Sequence, residues 1–164
     1  MRNMRSLALL WLSMLWCGAA LAEQYKDWRK SGTTADKVEQ MIKTLPSTSH
    51  VMVEVGARYQ NLYWAGKLGQ WEFAQYQVEE IVKLIEMLQI SSPKRAATAQ
   101  VFLDQGMVEF DKAIASQDWE TFLHAFRTMR AQCMICHHDN DHGFIVPPEH
   151  PVTAPSVVLN LPQR

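Results

Sequence analysis

Between Thr33 and His138 the apolar residues recur at spacings of three and four, with almost no alternating stretch, which predicts helices rather than strands. Val38, Met41, Ile42 and Leu45 predict a short helix over about Ala35–Leu45, ended by Pro46, which has no amide donor to continue it. A second segment runs from about Ser49 to Leu68. Its main stripe is Met52, Gly56, Tyr59, Tyr63 and Gly66, widened by Val51, Val55, Leu62 and Ala65, and Gly69 is the turn residue. The third covers Gln70–Gln89, with Trp71, Ala74, Val78, Ile81, Ile85 and Leu88 on one side and Glu79, Glu80 and Glu86 mostly on the other. Ser92 and Pro93 read as N-cap and first helical residue of a fourth, continuous to about Ala115, with Ala96, Ala99, Phe102, Leu103, Phe110 and Ile114 facing inward. The fifth starts at Asp118, a good N-cap, and carries Trp119, Phe122, Leu123, Phe126, Met129 and Ile135.

Two of the breaks are alike. Gln70-Trp71-Glu72-Phe73 opens one helix, and Asp118-Trp119-Glu120-Thr121-Phe122 opens another 48 positions later. A helical hairpin used twice gives an all-α fold: an antiparallel four-helix bundle preceded by a short extra N-terminal helix. The weak identity of the two openings makes duplication a suggestion only, since any bundle repeats a turn and an amphipathic helix. Beyond Gly143 the pattern stops. Pro147, Pro148, Pro151, Pro155 and Pro162 predict an extended C-terminal tail over 143–164, with Phe144, Ile145 and Val146 packing its start onto the bundle.

Composition narrows the class. A chain of 164 residues, 48% hydrophobic and 20% charged, suits one globular domain, and a net charge of −1 offers no strong field for nucleic acid. The N-terminus changes the counts. Arg2 and Arg5, the apolar run Leu7–Cys17 and Ala20-Leu21-Ala22 read as a cleaved signal peptide over 1–22, too short an apolar run for a membrane span. An uncleaved anchor, or lipid attachment at Cys17, would need flanking residues unlike Trp16 and the Ala-Leu-Ala site. The exported chain would be periplasmic, with no integral span, and would carry 14 Lys and Arg against 17 Asp and Glu, a net −3. It retains two cysteines, Cys133 and Cys136.

Those two belong to Cys133-Met134-Ile135-Cys136-His137, a C-x-x-C-H motif at the end of the last helix. Three residues apart on a helix, the sulfurs share a face and can reach the two vinyl groups of one haem, while His137 presents its imidazole to the iron. The 23–142 segment then reads as a haem-binding helical bundle with one covalent haem c. Phe126, Met129 and Met134 can cover the porphyrin, and Arg130 can pair with a propionate or sit solvated at the surface. Two other readings compete: a zinc site from Cys133, Cys136, His138 and His142, tight for a tetrahedron, and a redox dithiol, which prefers a helix start after a strand. A disulfide between these two positions would be strained.

A single haem motif on the last helix of a bundle resembles cytochrome c′ and the related class II cytochromes c. Leu62-Tyr63-Trp64-Ala65-Gly66, the stretch from Trp71 to Ile81, and Cys133–His137 followed by Gly143-Phe144-Ile145 are similar to small exported bacterial haem proteins described only as cytochrome c family proteins. The resemblance covers roughly residues 50–155. It implies a monohaem four-helix bundle with His137 as proximal ligand. Where related proteins use a methionine of the first bundle helix as distal ligand, this chain has Met52, with Met41, Met129 and a tail histidine as other candidates. The proline-rich tail departs from cytochrome c′. The expected function is non-enzymatic electron transfer with redox partner proteins. The alternative is a five-coordinate haem binding nitric oxide or carbon monoxide. A peroxidase would need a distal base and cation that the sequence does not display. A homodimer is compatible with the family.

Overall fold

The computed structural model describes residues 27–151. The segment read as a signal peptide, including Cys17, and the tail beyond residue 151 lie outside the described residues. The chain divides into two units, Met1–Leu45 and Pro46–Arg164.

In the first unit a 3-10 turn, Trp28–Lys30, precedes helix α1, Thr34–Lys43. Thr33 and Asp36 form a reciprocal capping box: the Asp36 amide donates to Thr33 Oγ1 at 3.2 Å, and the Thr33 amide donates to Asp36 Oδ2 at 2.8 Å. The helix ends short of Pro46, as steric conflict with a following proline requires. Its apolar residues Val38, Met41 and Ile42 are exposed.

The second unit contains α2 (Thr48–Lys67), α3 (Trp71–Ser91), a 3-10 turn at Pro93–Arg95, α4 (Ala96–Gly106), α5 (Phe110–Ser116) and α6 (Trp119–Asp139). Among the described residues all regular structure is helical. α2 packs on α3, α3 on α4 and α5, and α6 on α2, α4 and α5. The fourth segment expected from the sequence is therefore two helices, not one. Gly106, a poor helix former, ends α4, and the Phe110 amide bonds the Met107 carbonyl at 3.2 Å in a tighter turn that buries Met107.

The two similar helix openings are also similar in backbone. Gly69 and Gln117, 48 positions apart, both take left-handed φ, at 68° and 53°. In the first turn the Gln70 amide reaches back to the Ala65 carbonyl at 2.8 Å, closing α2 with a Schellman motif whose left-handed residue is the glycine. Trp71 and Trp119, two residues after these positions, lie against the same ring, Phe122, with centroids at 5.8 and 6.1 Å.

Phe110, Phe122, Phe126, Leu62, Ile81 and Met129 form the fully buried core. Gly66 of α2 lies directly under Phe122, and a Cβ there would collide with the ring. A Gly→Ala change inside a helix normally gains up to about 1 kcal/mol. Here overpacking wins, because Phe122 is completely enclosed and cannot move aside. Gly66→Ala is expected to cost about 1–3 kcal/mol, read as a lower denaturation midpoint in urea. A raised midpoint would contradict this packing. Among the described residues no helix is long and apolar enough to cross a membrane.

Candidate functional site

The first half of α2, the second half of α3, the first half of α4 and the second half of α6 surround a cavity of about 320 Å³. Met52, Val55, Gly56 and Tyr59 line it from α2, at one helical face spacing. Cys133, Cys136 and His137 of α6, with its C-cap Asn140, line it at the same spacing. Ile85 and Leu88 of α3 and Ala99 and Phe102 of α4 supply apolar walls, and Ile145, Val146, Pro147 and Pro148 of the tail complete it. A largely apolar cavity of this size with a few converging polar groups is the usual form of a cofactor site.

The structure thus brings together four of the residues singled out in the sequence: Cys133, Cys136, His137 and Met52. Phe126 and Met129 are not among its lining. Both are fully buried one to two turns earlier on α6, Phe126 with its ring 4.6 Å from Tyr59 and 5.2 Å from Tyr63. Arg130 also lies outside the lining, and its Nε donates to the Pro147 carbonyl at 2.8 Å. Met41 belongs to the other unit.

The end of α6 sets the geometry of His137. Asp141 takes a left-handed conformation at φ 63°, and the His142 amide donates to the His137 carbonyl at 2.8 Å, a Schellman closure without glycine. The Ile145 amide then bonds the His142 carbonyl at 2.9 Å, so the chain doubles back along the helix end. That return brings the Ile145 carbonyl 2.8 Å from His137 Nδ1. A carbonyl oxygen only accepts, so Nδ1 carries a proton, and in the neutral ring this leaves the lone pair on Nε2. This is the second-shell arrangement of metal-binding histidines, which fixes the tautomer and raises the basicity of the other nitrogen. His142, also on the cavity wall, is pinned in the same way, its Nδ1 donating to the Asn140 carbonyl at 2.6 Å.

Neither cysteine is in a disulfide. Burial pushes the Cys133 thiol up to about 12, with a smaller contribution from Cys136. Burial raises the Cys136 thiol as well. A redox or nucleophilic cysteine needs the opposite shift, so the dithiol alternative has no electrostatic support. The zinc alternative needs four converging donors, and among the described residues no three His, Cys, Asp or Glu side chains are grouped to hold a metal ion.

The sequence reading missed several lining residues. Arg95, the last residue of the 3-10 turn, joins the start of α2 to the end of α6 at one edge of the cavity, donating to Thr48 Oγ1 at 3.2 Å and to Asn140 Oδ1 at 3.0 Å. Asn140 in turn donates to the Cys136 carbonyl at 2.8 Å. Tyr59 was visible as part of the α2 stripe, but not as a residue whose hydroxyl reaches the tail, donating to the Pro148 carbonyl at 2.6 Å. In comparisons with family profiles, characterised proteins and solved structures, no match to the chain emerged.

Proposed function

We propose that this chain is a periplasmic c-type monohaem cytochrome that transfers electrons, built as an antiparallel four-helix bundle of the class II kind with one helix divided into α4 and α5. Supporting the bundle reading, the cavity draws alternately on first and second halves of successive long helices, as antiparallel neighbours would supply them.

The observation that carries the functional reading is the convergence at one apolar cavity of both thiols of the C-x-x-C-H motif and a histidine whose Nδ1 proton is already committed to a backbone carbonyl. This donor set fits haem c. Cys133 and Cys136 would hold it by thioethers, and His137 Nε2 would be its proximal iron ligand. When bound, haem supplies a one-electron ferric–ferrous couple. The protein's own contribution is to hold the imidazole in one tautomer, keep water from the apolar walls and supply a soft thioether from Met52 on the α2 wall.

Gas binding is the second reading: Gly56, one turn from Met52 on the same wall, presents no side chain toward the cavity, and apart from its own helix backbone and chain neighbours nothing lies within 4 Å of where a Cβ would stand. The Met52→Ala variant separates the two. For electron transfer, the parent protein shows a six-coordinate low-spin spectrum unaffected by carbon monoxide, and Met52→Ala becomes high-spin and binds the gas. A parent protein that binds carbon monoxide, with a spectrum unchanged by the substitution, would favour the second reading and remove Met52 as ligand.

A further inference from the structure

We infer that Tyr59 and Arg130 are positioning residues that act on His137 through the tail. The inference rests on the haem reading for its electrochemical consequence, but not for its geometry.

The segment from Phe144 to His150 has no regular structure of its own, and Phe144, Ile145 and Val146 are exposed on their outer side. Pro147 and Pro148 have no amide protons, so this stretch cannot anchor itself through its own donors there. It is held instead from two helices. Arg130 of α6 donates to the Pro147 carbonyl at 2.8 Å, and Tyr59 of α2 donates to the Pro148 carbonyl at 2.6 Å. Each proline carbonyl therefore has one dedicated side-chain donor. Further along, the Tyr63 hydroxyl meets His150 Nδ1 at 3.2 Å, and Arg127 pairs with Glu149 at 3.4 Å across an exposed surface, where an ion pair contributes little. Two residues before the first anchor lies Ile145, whose carbonyl holds the His137 proton. Tyr59 is the stiffer anchor: it is 4% exposed, with its ring against Phe126. Its hydrogen bond to the tail is made by the hydroxyl, so Tyr59→Phe removes the bond and leaves the ring's packing. Arg130→Lys keeps the charge and removes the Nε donor.

The tail is thus a strap across the cavity: the turn ending in the Ile145–His142 backbone bond brings the Ile145 carbonyl to the imidazole, and the two anchors beyond it keep it there. A hydrogen bond at Nδ1 makes Nε2 a stronger donor to iron and favours the oxidised state, so loosening the strap raises the reduction potential.

The experiment uses the full processed chain with its cofactor. It compares the parent, Tyr59→Phe, Arg130→Lys, the double variant and Tyr76→Phe, an exposed tyrosine away from the strap. Alkaline pyridine spectra first establish that each carries c-type haem, which tests the functional reading by itself. The double variant is expected to keep its haem and its helical circular dichroism while its potential shifts upward. The His137 Nδ1 proton, followed by nitrogen-15 NMR in the ferrous protein, is expected to exchange about tenfold faster or more, as two modest hydrogen bonds would imply. Tyr76→Phe should change neither. An unchanged potential and exchange rate in the double variant overturn the inference. If the parent carries no haem, the functional reading fails, and the exchange of the same proton in the haem-free chain still decides whether the strap positions His137.

Discussion

Replacing Cys133 and Cys136 together by serine is expected to abolish covalent haem completely, leaving none on the chain after denaturing electrophoresis. Each single replacement should leave one thioether and a pyridine spectrum shifted toward that of a haem with one unreacted vinyl. Both cysteines line the cavity with His137, so under the proposed function replacing either should cost attachment rather than the fold. A serine differs from a cysteine by one atom and packs in the same place, and neither cysteine is closed into a disulfide that the change would break. The helical circular dichroism of the double variant should therefore survive, though with a lower melting temperature once the tethered cofactor no longer fills the cavity. Acid–organic extraction of the unmodified protein is the complementary test, in which the haem is expected to stay with the chain. Release into the organic phase would remove the thioether assignment and the functional reading with it.

The largest loss of stability is expected at Phe126. Its side chain is completely buried and packs on Tyr59 and Tyr63, joining α6 to α2. Phe126→Ala should cost about 3–5 kcal/mol, combining lost burial with the cavity left by an aromatic ring. That is a large part of the stability of a domain this size, about 5–15 kcal/mol. Urea titration should show a sharply lower midpoint with an unchanged slope. A cost under about 1 kcal/mol would mean that Phe126 is not the core residue the packing implies. The sequence places Phe126 both on the apolar face of the last helix and among the haem surroundings. The structure predicts a stability effect first.

The helical faces were legible because they obey spacing rules. Met52, Val55, Gly56 and Tyr59 on α2, and Cys133, Cys136 and His137 on α6 with its C-cap Asn140, both fall at i, i+3, i+4 and i+7, and both line the cavity. Phe126 and Met129 share their helix with that second set, which is why periodicity could not separate core from cavity wall. The division of the fourth segment was hidden for a similar reason. Phe102, Gly106, Phe110 and Ile114 continue at intervals of four across the break, and all are buried. The tail was the least legible part. Its role depends on the backbone carbonyls of Ile145, Pro147 and Pro148, and a carbonyl has no residue-type signature. The turn that carries it back uses Asp141 in a left-handed conformation, where glycine would have signalled the stop. Arg95 had no signal either: nothing in Ser92-Pro93-Lys94-Arg95 announces that the guanidinium joins Thr48 and Asn140.

The return of the chain at Asp141 also makes the site depend on residues that lie later in the sequence than the motif itself. The carbonyl that selects the His137 tautomer lies eight residues beyond it, and the wall formed by Pro147 and Pro148 comes later still. Without residues 145–148, His137 would lack its backbone acceptor and the cavity would lack one wall. Docking of that segment supplies both. Maturation of the site should be complete only when the last part of the described chain has folded onto Tyr59 and Arg130.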